Sequence, residues 1–158
     1  MYSKWILSLY VACLAVFFLA LPAFSATGPD EITGVWLNEE KDANIEIYKC
    51  ADKYCGKLVW LLNPLYPADS KEGAPGTPKL DHNNPDKELR KTPLQGLEIV
   101  KGMTFARGNK WEDGTVYDPK NGKTYSAKLT LVDAENLDLR GFIGISLFGR
   151  TSHWTRKH

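Results

Sequence analysis

The chain has 158 residues, 43% of them hydrophobic, and a formal net charge of +1. Without residues 1–25, which contain one lysine and no acidic residue, 19 basic side chains face 19 acidic ones. A neutral chain has no long-range attraction for nucleic acid, so the composition argues against that class of partner. The remaining length of about 130 residues is sufficient for one domain that buries most of its apolar surface.

The N-terminus has the layout of an export signal. Lys4 provides a short positive region, and residues 5–24 are almost entirely apolar. Small residues Ala23 and Ser25 fit the usual cleavage pattern, which predicts a signal peptide released after Ser25 and a mature domain at 26–158. No stable membrane span is expected after cleavage. An uncleaved anchor is the alternative, because about 20 apolar residues can span a bilayer.

Eight segments of the mature chain alternate apolar and polar residues with a period of two, which is typical of β-strands. No segment shows a helical stripe longer than about two turns. The predicted strands are residues 33–37, 44–50, 55–62, 96–104, 109–117, 123–132, 137–142 and 147–156.

Most links between these strands are short and rich in turn residues, such as Asn121 and Gly122 or the segment 133–136. Short links join antiparallel neighbours. Eight such strands either stack as two sheets or close on themselves, and closure removes exposed edges. The sequence therefore predicts an all-β fold, a single eight-stranded up-and-down antiparallel barrel.

The mature chain keeps two cysteines, Cys50 and Cys55, on either side of a predicted turn. An even number of cysteines in an exported chain favours a disulfide, and a metal-binding pair is the alternative. Pairing across this turn also sets a register for the two strands. The predicted opposite pairs are Tyr48 with Lys57, Ile47 with Leu58 and Ile45 with Trp60.

The link 63–95 is much longer than the others and holds six of the nine prolines. Loops of this length are usually functional or disordered. Asn84 is predicted to cap a short helix that Pro93 ends, and segment 71–77 is predicted to be disordered. We interpret 63–95 as an ordered, lid-like loop. Its candidate lid residues are Asp81, Asn84 and Arg90.

Asp81 and His82 are the one pair that suggests a reaction, since a histidine beside a carboxylate can act as a general base. Adjacent side chains diverge, however, and no Gly-x-Ser-x-Gly motif or spaced histidine pair accompanies them. We expect Asp81 to bond to loop amides or cap a turn instead. We assign no catalytic residue, no metal ligand and no cofactor.

The first and last predicted strands carry a distinctive combination of residues. Gly34 and Trp36 begin the first strand, and Arg150, Trp154 and Arg156 share one face of the last. This combination resembles the lipocalin barrels, in which a Gly-x-Trp packs beneath an arginine from the last strand. The resemblance implies that one of the two arginines covers Trp36 through a cation–π contact and closes one barrel end. An ordinary core tryptophan is the alternative.

A more extensive resemblance covers nearly the whole mature chain. In order and spacing, its motifs are similar to the domain-of-unknown-function 2147 family, small exported bacterial proteins with a lipocalin-like barrel. The resemblance implies an internal cavity, a small-ligand role and a periplasmic location, without an established reaction. The residues that carry it are Cys50, Cys55-Gly56, Val59-Trp60-Leu61, Asp81, Asn84-Pro85, Arg90, Pro93-Leu94, Gly96-Leu97, Trp111, Gly114, Tyr117-Asp118-Pro119, Gly122-Lys123, Tyr125, Arg140-Gly141, Gly144, Gly149-Arg150-Thr151, Trp154 and Arg156.

Six side chains are candidates for contact with a ligand. The tryptophans would supply flat apolar walls, the tyrosines a hydroxyl, and an arginine a bidentate anchor for a carboxylate or phosphate. Alternation places Arg140 on the face of Asp138 and Phe142, so a solvated outer position is its alternative. The six are Trp60, Trp111, Tyr117, Tyr125, Arg140 and Arg150.

The predicted function is noncatalytic binding of a small apolar or amphipathic molecule in the barrel. The first alternative is an interaction module with a filled barrel, which docks an envelope protein through the unusually apolar stretch 141–149 and the long loop. The second is an isomerase or hydrolase that uses Asp81 or His82, which requires those side chains to face the cavity.

Overall fold

Eight strands follow one another along the chain, and each pairs antiparallel with the next. The first strand also pairs with the last, which closes the sheet and confirms the predicted up-and-down barrel. The computed structural model describes residues 28–158, so the predicted signal peptide lies outside the described residues. The strands are β1 (Gly34–Leu37), β2 (Ala43–Cys50), β3 (Lys53–Leu61), β4 (Glu98–Arg107), β5 (Lys110–Asp118), β6 (Lys123–Leu131), β7 (Asn136–Phe142) and β8 (Arg150–Lys157).

The strands form because their apolar residues recur at every second position. Along β6, Ala127, Leu129 and Leu131 are buried, and they alternate with the partly exposed Lys128 and Thr130. Only an extended chain places all three apolar residues on one face. The inner faces of the strands together build one core.

The β2–β3 hairpin has a tighter turn than the sequence predicts. Ala51, with φ of 57°, and Asp52 form a two-residue turn, so Cys50 lies opposite Lys53 rather than Cys55. The predicted disulfide between Cys50 and Cys55 is confirmed, with a Cα–Cα distance of 5.8 Å, but it runs diagonally across the ladder. The predicted register was wrong by two positions because the disulfide does not join opposite residues.

A β-bulge in the same hairpin turns Trp60 outward. Ile45 pairs with Leu58, but the preceding Asn44 pairs with Trp60, so β3 carries one extra residue at this point. An extra residue exchanges the inner and outer faces of the strand beyond it. Trp60 is therefore 41% exposed on the outer surface, and the expectation that it shares a face with Ile45 was wrong.

The barrel is closed at the end that carries the β2–β3, β4–β5 and β6–β7 turns, here called the closed end. Trp36 is fully buried there, and the guanidinium carbon of Arg156 lies 4.1 Å from its ring centroid. Gly34 has a φ of +122°, and a Cβ on it would lie 3.0 Å from Nη1 of Arg156. Of the two arginines considered, Arg156 covers Trp36, whereas Arg150 begins β8 at the opposite, open end.

The segment before β1 covers the closed end and satisfies its buried donors. Nε1 of Trp36 donates to the carbonyl oxygen of Ile32 at 2.9 Å, and Nε1 of Trp111 donates to that of Pro29 at 3.0 Å. A buried indole N–H without an acceptor would be destabilising. These bonds explain why residues 28–33 lie across the barrel end.

Tyr54 makes the stability of the closed end depend on pH. Burial, together with the bond that its hydroxyl donates to the Asp30 carboxylate, raises the pKa of Tyr54 to about 12. A pKa raised in the folded state contributes stability that is fully present below the unfolded value of 10.0 and is lost as pH rises through about 12.

We therefore expect the wild type to be more stable than Tyr54→Phe at neutral pH, and the difference to narrow between pH 10 and pH 12. Urea unfolding followed by circular dichroism at several pH values measures this difference. A difference that stays constant across that window would contradict the role given to Tyr54.

The long link between β3 and β4, residues 62–97, folds back over the open end. Nδ2 of Asn83 donates to the carbonyl oxygens of Pro119 at 3.0 Å and Lys120 at 3.1 Å. Gly122 has a φ of +70°, and a Cβ there would lie 1.9 Å from the carbonyl oxygen of Asn83. The link is thereby held against the β5–β6 turn, and only glycine fits at the contact.

The predicted short helix in this link exists as a 3-10 helix, Lys87–Lys91. Its cap is not Asn84 as predicted, because Asp86 accepts the hydrogen bond from the amide of Glu88 at 3.0 Å. Oδ1 of Asn84 instead accepts from the amide of Asp86. Within residues 28–158, no helix is long and apolar enough to cross a membrane.

Segment 71–77, predicted to be disordered, is bonded to the rest of the link. The amide of Tyr66 donates to the carbonyl oxygen of Thr77 at 2.9 Å, and the amide of Gly76 donates to that of Tyr66 at 2.9 Å. The segment thus folds around the buried Tyr66 ring.

Candidate functional site

The interior of the barrel is packed at the closed end and hollow at the open end. Trp36, Trp111 and Met103 are fully buried and fill the closed half. The open half encloses a cavity of about 840 Å³. Its inner wall is apolar and includes Ile45, Leu58, Ile99, Val116, Leu139 and Trp154.

Charged residues surround the mouth of this cavity, and many of them are paired. Nζ of Lys120 bonds to carboxylate oxygens of Glu40 and, at 3.1 Å, of Asp42. The carboxylate of Asp118 accepts from the amide of Lys120 at 2.9 Å and from Nδ2 of Asn121 at 2.8 Å. These bonds tie the β1–β2 and β5–β6 turns together at the rim.

Asp81 fastens the long link to the barrel wall. It is fully buried, and its two carboxylate oxygens accept from the hydroxyl of Tyr117 at 2.7 Å and from Nδ2 of Asn84 at 2.7 Å. Nε of Arg90 in turn donates to the carbonyl oxygen of Asn84 at 2.7 Å. Burial, and then the bond to Asp81, raises the pKa of Tyr117 well above its ordinary value. The three candidate lid residues form one bonded chain that ends on β5.

Asp81 and His82 do not form a dyad. The imidazole of His82 bonds to the hydroxyl of Tyr66, whereas both oxygens of Asp81 are taken by other donors. Neither residue lines the large cavity, and His82 lies beside a separate cavity of about 280 Å³. Among residues 28–158, no group of three or more His, Cys, Asp and Glu side chains is arranged to hold a metal ion.

Three of the six candidate ligand residues line the cavity, namely Tyr117, Tyr125 and Arg150. Trp60 lies outside because the bulge in β3 reverses its direction. Trp111 lies in the packed closed half, where its ring contacts those of Tyr54 and Phe105. The two tryptophans expected to form apolar walls are therefore not part of the cavity wall.

Arg140, the sixth candidate, is on the outer face of β7, as the alternation of that strand allowed. Its Nε donates to the carbonyl oxygen of Ser146 at 2.7 Å, and its Nη2 donates to that of Leu147 at 3.1 Å. Nη1 donates to the hydroxyl of Thr151 at 2.8 Å. Arg140 therefore holds the β7–β8 loop against the barrel and does not reach the cavity.

The β7–β8 loop exposes apolar side chains beside the mouth. It contains a second 3-10 helix, Ser146–Phe148, which the sequence does not predict. Phe148 is 80% exposed, and Ile143, Ile145 and Leu147 are also largely exposed. Ile143 and Phe148 line the cavity as well, so the loop joins the cavity wall to the outer surface.

Two residues of the cavity wall were not predicted as ligand contacts, Trp154 and Gly141. Trp154 was assigned to barrel closure, but it forms part of the cavity wall, and its Nε1 donates to the hydroxyl of Ser152 at 3.0 Å. Gly141 opens the wall because it has no side chain. The alternation of β8, which places Arg150, Ser152 and Trp154 on one face, is the signal that could have found this wall.

Comparisons with known proteins agree with this architecture. Residues 34–156 match the family model described as an uncharacterized protein conserved in bacteria, DUF2147. This chain belongs to the DUF2147 family. No curated protein matches this DUF2147 chain significantly.

The DUF2147 barrel is also similar to a solved structure, protein HP1028 from the human pathogen Helicobacter pylori, which is described as belonging to the lipocalin family. The two chains are 19% identical, the match covers 80% of this chain and 82% of HP1028, and the TM-score is 0.66. At this identity the likeness establishes a lipocalin-like fold.

Proposed function

We propose that this DUF2147 protein is an exported binding protein that holds a small apolar or amphipathic molecule in the open half of its barrel. The observation that carries the proposal is the cavity of about 840 Å³ with an apolar inner wall and a polar mouth. Ligand cavities in proteins are usually about 300 to 1,000 Å³, mostly apolar, with a few polar groups that orient the ligand.

Export to the periplasm is part of the same proposal. The Cys50–Cys55 disulfide supports it, because disulfides persist mainly in oxidising compartments. The family is described as conserved in bacteria, for which the periplasm is such a compartment. Cell fractionation followed by mass measurement of the mature N-terminus tests this part directly.

Filling the cavity from the wall should remove ligand binding. Gly141 is on the inner face of β7, and a Cβ there would make an ordinary contact of 3.5 Å with Cγ1 of Val116. We expect Gly141→Leu to reduce by at least about tenfold the fraction of protein that carries a bound small molecule, since the new side chain occupies ligand space.

Native mass spectrometry of protein purified from its own periplasm, compared with the denatured mass, measures this fraction. Thr130→Leu, which adds a similar side chain to the outer face of β6, is the matched control and should leave the adduct unchanged. An adduct of equal occupancy in the wild type and in Gly141→Leu would place the ligand outside the barrel.

The exposed β7–β8 loop supports a second candidate function, docking of an envelope protein. Ile145 and Leu147 are 60% and 75% exposed but do not line the cavity, so ligand binding does not account for them. If the loop docks a protein, Leu147→Glu should abolish the association and leave the native-mass adduct intact. If the loop serves ligand entry, the same variant should alter adduct formation.

A further inference from the structure

We infer that the ligand is an amphiphile with an acidic head group, and that Arg150 binds this group at the cavity mouth while the apolar part reaches inward to Trp154. The inference rests on the proposed function and specifies the ligand class for the same cavity. The relevant chemistry is that of a single apolar chain ending in a carboxylate.

Arg150 lines an apolar cavity, and its side chain has no partner in the described part of the chain. Arg90, Arg140 and Arg156 all donate to backbone carbonyl oxygens. No side-chain hydrogen bond or ion pair joins Arg150 to another residue between 28 and 158, and its exposed side chain lies at the rim of the cavity. A guanidinium has five donors in a planar fork that matches a carboxylate, and this fork is left open toward the ligand.

The wall beside Arg150 leaves room for a head group. On the inner face, Ala127 pairs with Gly141, and Gly141 pairs with Arg150. Across these three neighbouring strands, the wall therefore presents the methyl group of Ala127, no side chain at Gly141, and the guanidinium of Arg150. Tyr125 borders the same gap, because its Cβ is 3.6 Å from the position of a Cβ on Gly141. The gap lies between a cation and a phenol.

The hydroxyl of Tyr125 supplies a further donor at the cavity mouth, beside Asn121. Its hydroxyl oxygen accepts from Nδ2 of Asn121 at 3.1 Å, so its own hydrogen remains to be donated. The hydroxyl of Tyr117 on the neighbouring strand is already bonded to Asp81. Of these two cavity tyrosines, Tyr125 is therefore the one that can bind a carboxylate.

None of the acidic residues at the mouth forms an ion pair with Arg150 in the described part of the chain. Glu40 and Asp42 bind Lys120, and Asp118 binds Asn121. The remaining acid at the mouth is Glu39. On the outer face of β8, Asp138 raises the pKa of His153, and Glu39 adds a smaller effect in the same direction. Four carboxylates and three cations line the cavity, and of the cations Lys79 and Arg150 have no ion-pair partner among the described residues.

Binding of decanoate and of decan-1-ol, measured by isothermal titration calorimetry, tests the inference. The two probes share one apolar chain and differ in head group. We expect the wild type to prefer decanoate, and Arg150→Met to weaken decanoate binding by about tenfold while changing decan-1-ol binding less than about twofold. Arg150→Lys should bind decanoate with intermediate affinity, because it keeps the charge but not the fork. Arg107→Met, at the closed end, is the matched control.

The outcomes separate the inference from the proposed function. Equal wild-type affinity for both probes, or unchanged decanoate affinity in Arg150→Met, would overturn the role of Arg150 and leave the binding cavity standing. A loss of decanoate affinity that occurs only in Lys79→Met would also overturn it, because the carboxylate would then bind Lys79 in the long link. Failure of the wild type to bind either probe, with no adduct in the native mass, would remove the proposed function itself.

Discussion

Replacement of Trp36 by alanine is expected to lower the free energy of unfolding by about 3 to 5 kcal/mol. The indole is fully buried at the closed end, where the segment before β1 and the guanidinium of Arg156 cover it. Its removal leaves a cavity that the closed sheet cannot collapse to fill, and it leaves the carbonyl oxygen of Ile32 without its donor. Urea unfolding followed by circular dichroism measures the loss.

Trp60→Ala is the matched control for this prediction. It removes the same side chain from the outer surface, where Trp60 is 41% exposed, so we expect a destabilisation of less than about 1 kcal/mol. Similar losses in the two variants would show that the closed end does not depend on Trp36.

Asp81→Ala is expected to destabilise the protein by about 2 to 4 kcal/mol and to loosen the long link from the barrel. Asp81 is the common acceptor for Tyr117 on β5 and Asn84 in the link, and both donors would lose a buried partner. Because the link is a surface segment, part of the effect should appear as local opening. Thermal unfolding measures the first effect, and the rate of tryptic cleavage after Lys87 or Lys91 measures the second.

Asp86→Ala lies in the same link and is the control for this experiment. Asp86 caps the 3-10 helix at the surface, so its loss should cost about 0.5 to 1 kcal/mol and leave the contact with β5 intact. If Asp81→Ala is cleaved no faster than Asp86→Ala, Asp81 is not the residue that fastens the link.

Much of the fold could be predicted because strand formation is a local property. Period-two alternation located all eight strands, and the short turns required antiparallel neighbours. The disulfide followed from the even number of cysteines outside the predicted signal peptide. These inferences depend on residues that are near one another in the sequence.

The register of the β2–β3 hairpin could not be predicted in the same way. A disulfide across a hairpin is compatible with either opposite or diagonal residues, and the two choices differ by two positions. Nothing in the alternation of β3 marks the extra residue near Leu58 that turns Trp60 outward. One inserted residue was enough to move a candidate ligand residue from the cavity to the surface.

The sequence by itself determined which strands form, that they close into a barrel, and which residue types are present at the two barrel ends. Only the tertiary structure decided that Arg156 covers Trp36 while Arg150 faces the cavity, and that Asp81 bonds to Tyr117 across 36 positions of sequence. The physical reason is that local patterns specify the direction of each side chain within its strand. The shear of a closed barrel and the path of a long link then decide which of those side chains meet.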